Sequence, residues 1–91
     1  MEIALTPREV KSVPLEIKRD YEPVDLHVQV VEGVPPVTVE LENTATGNVV
    51  RRLNAYNATF AAWLPEGTHA IRFANPHDYP IKVLFEIIRL G

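Results

Sequence analysis

The sequence predicts an all-β fold, an antiparallel β-sandwich of seven to eight strands in a jelly-roll or immunoglobulin-like arrangement. Three observations predict it. Apolar residues recur at every second position, the mark of a strand with one buried face. Clusters of Gly, Pro, Asn and Asp break these runs at short, regular intervals. β-branched residues dominate, and no stretch shows the three-and-four spacing of an amphipathic helix. At 91 residues, the whole of 1–91 is expected to fold as a single β-sandwich domain.

Strands are placed in order at 2–6, 13–19, 24–31, 37–42, 49–54, 58–64, 68–74 and 79–90. Val24-Asp25-Leu26-His27-Val28-Gln29-Val30 alternates without a fault, with valines and leucine on one face and Asp25, His27 and Gln29 on the other. Val37-Thr38-Val39-Glu40-Leu41-Glu42 repeats the pattern. In Val13-Pro14-Leu15-Glu16-Ile17-Lys18 the proline removes an amide donor and suggests an edge or a strand start. The alanines within 54–62 leave a short helical turn open there. The expected core is Leu15, Ile17, Leu26, Val28, Val30, Val39, Leu41, Phe60, Leu64, Ile71, Phe73, Val83, Phe85 and Ile87. Leu64-Pro65-Glu66-Gly67-Thr68-His69 reads as a tight hairpin. It would set Leu64 beside His69, Ala62 beside Ile71 and Phe60 beside Phe73, all six on one face. His69 is expected at the edge of the core, held by one hydrogen bond.

The segment Leu64-Pro-Glu-Gly-Thr-His-Ala-Ile-Arg-Phe-Ala-Asn75, followed by a long apolar strand, resembles an "L-x-x-G-x-Y-x-L-x-F-x-N" stretch. Small β-sandwiches of the Golgi-dynamics (GOLD) domain and the bacterial pre-peptidase C-terminal domain carry such a stretch. His69 stands where those families usually have Tyr. The resemblance implies a non-catalytic β-sandwich used for protein interaction or attachment, and it transfers no functional residue.

Composition narrows the function further. Nine Lys/Arg against twelve Asp/Glu give a net charge of −3, and the basic residues are dispersed. Nucleic-acid binders concentrate basic residues in a patch or stripe, so no nucleic-acid partner is expected, and no anionic membrane either. The absence of cysteine excludes a disulfide scaffold, a thiolate zinc site and a cysteine nucleophile. One Met, one Gln and no Cys lean towards a thermophilic source. Met1-Glu2-Ile3-Ala4-Leu5-Thr6-Pro7 lacks the basic start and apolar core of a signal peptide, and no apolar run approaches the ~18 residues of a membrane span. A cytoplasmic location follows if Met1 is the natural start.

No constellation points to catalysis or to a cofactor. Asp25 and His27 share a strand face and His77-Asp78 sits in a turn, but a metal needs three or four converging ligands. Ser12, the only serine, has no G-x-S-x-G context. Glu40 and Glu42 project together and read as a solvated acidic face. The loop acids Asp20, Glu22 and Asp78 lack the spacing of a calcium loop. No enzyme, metal or cofactor is expected.

One surface departs from this pattern. Opposite the core set Ile81, Val83, Phe85 and Ile87, the last strand carries Lys82, Leu84, Glu86, Ile88 and Leu90, where a half-solvated strand should be polar. Ala61 and Trp63 alternate outward on a strand of the same part of the chain. An interface of Ala61, Trp63, Leu84, Ile88 and Leu90 is therefore expected, joining copies of this chain in a homo-oligomer or binding another protein. Two alternatives stand beside it. Residues 1–5 could fold back over Leu84 and Ile88. Trp63, Tyr56 and Tyr21 could instead stack on a carbohydrate, the company of Trp63 deciding between sugar and protein.

Overall fold

A computed structural model describes residues 1–89; of the expected interface, Leu90 lies outside them. Eight strands follow one another: β1 (Glu2–Leu5), β2 (Val10–Ile17), β3 (Glu22–Glu32), β4 (Val37–Asn43), β5 (Asn48–Ala55), β6 (Asn57–Leu64), β7 (Gly67–Ala74) and β8 (Ile81–Arg89). They form two four-stranded sheets, ordered β1-β8-β3-β6 and β2-β7-β4-β5. Every pairing is antiparallel. Only β4 and β5 are consecutive neighbours in one sheet. Every other connection passes from sheet to sheet, which is the jelly-roll arrangement of two Greek keys rather than the immunoglobulin-like one.

The alternation read from the sequence becomes burial. Val24, Leu26, Val28 and Val30 of β3 are buried, and so are Val37, Val39 and Leu41 of β4. Facing strands of the two sheets meet at Phe73 and Phe85, whose ring centres lie 4.8 Å apart at a tilt of 38°. All fourteen expected core positions turn inward; Ile87 is half-buried, packed against the edge of the core. Ile3, Leu5 and Ala55 join them.

The expected hairpin does not form. β6 pairs with β3, and β7 pairs with β2 and β4. Leu64 and His69, Ala62 and Ile71, and Phe60 and Phe73 therefore belong to opposite sheets. Parity permitted the error, because strands in facing sheets both turn their apolar side to the core. The turn Pro65-Glu66 is a corner between layers, and the Asp20 carboxylate accepts the Glu66 amide at 3.1 Å to hold it. Likewise 54–62 contains no helical turn: Tyr56 alone links β5 to β6.

At the opposite end of the sandwich, loops 6–9, 33–36 and 75–80 are knotted together by side chains. Buried Asn75 donates through Nδ2 to the carbonyls of Leu5, Thr6 and Tyr79, at 3.3, 3.1 and 2.7 Å. Its Oδ1 accepts the His77 amide at 3.0 Å. His77 Nε2 lies 2.9 Å from the Pro36 carbonyl, which can only accept, so Nε2 carries the proton and Nδ1 accepts the Tyr79 hydroxyl at 3.1 Å. Nearby, the Thr6 amide donates to the Glu9 carboxylate at 2.9 Å, the leading cause that holds its carboxyl below the usual range.

Gly33 has no substitute in this loop. Its φ of +88° is a left-handed conformation, and an added Cβ would sit 2.7 Å from the Pro80 carbonyl oxygen. Gly33→Ala should therefore cost more than ~1 kcal/mol, measured as a shift in the urea midpoint with an unchanged slope.

Candidate interaction surface

Directly opposed residues in a sheet share a face, so the outer face of the first sheet can be read in rows. Trp63 stands beside Pro23. In the next row Ala61, Asp25 and Ile88 lie side by side. The third row is Thr59, His27 and Glu86, and the fourth is Asn57, Gln29, Leu84 and Glu2. The two rows at the Trp63 end are largely apolar. Trp63 is 66 % exposed and Ile88 46 %. The third row is polar, with His27 Nδ1 2.7 Å from the Thr59 hydroxyl.

The structure thus gathers Ala61, Trp63 and Ile88 at one end. Leu84 stands two rows away, half-buried between Glu2 and Gln29, with Glu86 between it and Ile88. Residues 2–5 do not fold over this face. They extend the sheet along β8, the Met1 amino group donating to the Phe85 carbonyl at 2.9 Å. The three aromatics of the carbohydrate reading are separated: Tyr21 lies at the Trp63 end, but Tyr56 precedes β6, about 23 Å along the strand from Trp63.

The outer face of the second sheet is different. Its centre is an ion pair between central strands, Arg72 gripping Glu42 through two bonds of 2.6 and 3.1 Å. Glu40 lies between Arg72 and Arg52. Of the carboxylates that looked like an acidic face, Glu42 is thus paired with an arginine, and Glu40 stands beside two. Around them stand Ser12, Pro14, Thr38, Ala70 and Ala74, which are small or weakly polar.

The histidines do not converge. His27 lies on an outer face, His77 in the far loops, and His69 in the core. His69 is fully buried; its Nδ1–H donates to the Gly67 carbonyl at 3.3 Å, and Nε2 has no partner. The single bond expected from the sequence is present, with the ring fully inside rather than at the core edge. Glu22, read as a turn residue, is buried at the start of β3, with Arg89 at 3.5 Å. Asn75 was legible only as a turn former and as the last position of the motif; its hub role depends on three segments that sequence does not place together. Among the described residues no cleft opens, and no three His, Asp or Glu side chains gather closely enough to hold a metal.

No protein-family model matches the sequence, and no curated protein matches it either. Solved structures do share the fold. The pre-peptidase C-terminal domain of a collagenase from Bacillus anthracis superposes with a TM-score of 0.70 at 12 % identity, over 97 % of this chain and 88 % of that one. A periplasmic inhibitor of g-type lysozyme, PliG from Aeromonas hydrophila, gives 0.67 at 12 % identity, over 97 % and 83 %. A de novo designed double-stranded β-helix gives 0.55 at 19 % identity, over 97 % and 96 %. The chain is a jelly-roll β-sandwich, and its similarity to the pre-peptidase C-terminal domain, first met in residues 64–75, extends to the whole fold.

Proposed function

We propose that this chain is a non-catalytic β-sandwich module that works by binding protein, in the first place a second copy of itself, through the Trp63 end of its first sheet. The observation that carries this reading is the row geometry there. A two-thirds exposed tryptophan adjoins Pro23, and in the next row Ala61 and Ile88 flank Asp25, the one charged residue of the two rows. Aliphatic company of this kind suits a protein partner, since buried aromatic anchors dominate protein interfaces. A sugar platform would need a second stacking aromatic facing the same way, and Tyr56 is a strand's length away. The second sheet, centred on the Arg72–Glu42 ion pair, offers less. The lysozyme inhibitor among the structural neighbours supports protein binding as a use to which this fold lends itself.

Light scattering tests the reading. The wild type is expected to exceed monomer mass in the micromolar range. Trp63→Ala should weaken association by ~2 kcal/mol or more, about 30-fold, with the fold intact because the side chain is exposed. Ile88→Glu should shift the equilibrium in the same direction. A wild type that stays monomeric at high micromolar concentration contradicts self-association.

A further inference from the structure

The four sheet edges are not alike. β1 is only four residues long. β2 carries Lys11, Pro14 and Glu16. β5 carries Arg51 and Arg52, and its register against β4 shifts at Leu41/Glu42. Short length, charge, proline and bulges are the devices by which an edge refuses a further strand. β6 has none of them. Asn57–Leu64 contains no charged residue and no proline, and its register with β3 runs unbroken from Glu22↔Leu64 to Gln29↔Asn57.

The free backbone groups of this edge can be assigned. The Val30 amide donates to the Tyr56 carbonyl at 2.8 Å, so even-numbered residues of β3 turn their amides and carbonyls towards β6. Successive residues alternate, and Ala58, Phe60, Ala62 and Leu64 are the residues that answer them. The same alternation explains why Phe85 of β8 bonds to Met1 on the far side of the sheet. Asn57, Thr59, Ala61 and Trp63 therefore direct their N–H and C=O groups away from β3, along the open edge.

We infer that β6 pairs antiparallel with β6 of a second copy of this chain, about a two-fold axis at Ala61, joining two four-stranded sheets into one. The inference rests on the self-association proposed above and adds a strand pairing at the sheet edge beside the Trp63 face. A second copy is the occupant because β6 complements itself. In a two-fold antiparallel pair, any charge near the axis meets its like, and β6 is neutral throughout. Matching the inner faces allows centring on Phe60 or on Ala61. Centring on Phe60 sets two phenyl rings against each other. Centring on Ala61 sets Phe60 against Ala62, Trp63 against Thr59 and Leu64 against Ala58, each large residue facing a small one. The charge that reaches this edge comes from the other sheet: the Arg51 guanidinium lies 5.4 Å over the Phe60 ring, on an exposed side chain free to swing aside.

The sequence contains no cysteine, so Ala61→Cys adds a single thiol. Across the proposed axis the two Cα atoms would be ~5.5 Å apart, within the span of a disulfide. Under mild oxidation Ala61→Cys is expected to form covalent dimer at least about tenfold faster than Thr46→Cys on the exposed β4–β5 turn, because paired thiols react at high effective concentration. Ala61→Pro removes an amide that β3 does not use, so it should keep the circular dichroism spectrum of the wild type and lose the dimer mass. Ile88→Glu should slow the Ala61→Cys cross-linking only in proportion to the dimer mass it removes, since β8 lies beyond β3 and outside the strand pairing. Cross-linking no faster than at Thr46→Cys overturns the pairing, as does a folded Ala61→Pro that keeps the dimer mass. A wild-type dimer that Ile88→Glu dissociates while Ala61→Pro does not would retain self-association and refute the edge. Should Ala61→Pro fail to fold, the cysteine comparison decides alone.

Discussion

Asn75→Leu is expected to destabilise the fold by ~3–5 kcal/mol, a large share of what a domain of this size has to lose. Leucine fills a similar volume but leaves the Leu5, Thr6 and Tyr79 carbonyls and the His77 amide without the partner they now share. Buried groups left unpaired cost ~1–3 kcal/mol each; the sum falls short of four such terms because some sites are part-buried and can recruit water. Asn75→Asp should also destabilise, since a carboxylate would face three carbonyl oxygens. Urea unfolding measures both. A loss below about 1 kcal/mol for Asn75→Leu would mean that the loops at this end are held by something other than Asn75.

Phe73→Ala is expected to cost ~3–5 kcal/mol by removing a fully buried ring and leaving a cavity. Phe73 is wholly excluded from solvent and meets Phe85 across the two layers, so the cavity opens between the sheets, where neither backbone can close it. A loss below about 1 kcal/mol would mean that the ring does not face the core.

These two residues mark how much the sequence disclosed. Phe73 was legible, because alternation in a strand sets the face of each side chain and one face must be apolar. The strand positions follow from the same rule, and the starts of β2 and β3 were missed by only a few residues. Pairing was not legible. Leu64 and His69 looked like hairpin neighbours because parity fixes the face of a strand and not its sheet, and a two-residue corner has the length of a hairpin turn. Asn75 shows the other limit. Two of its four partners lie 69 and 70 residues away, and a buried asparagine beside a proline has the same local signature as an exposed turn. The surface stands between these cases. The outward positions of Ala61, Trp63, Leu84 and Ile88 follow from alternation, but their division into an apolar end and an isolated Leu84 depends on β3 lying between β6 and β8.

Trp63 is the only tryptophan in the chain, so its fluorescence reports directly on the surface assigned to protein binding. At sub-micromolar concentration the emission should be that of a solvated indole. As concentration rises through the micromolar range, the emission maximum should move to shorter wavelength in step with the mass from light scattering, because association buries the ring. Ile88→Glu and Ala61→Pro together should hold the emission at its dilute position. An emission maximum that stays fixed while the mass rises would place the contact elsewhere on the sandwich. A fixed maximum together with monomer mass at high micromolar concentration would contradict self-association altogether.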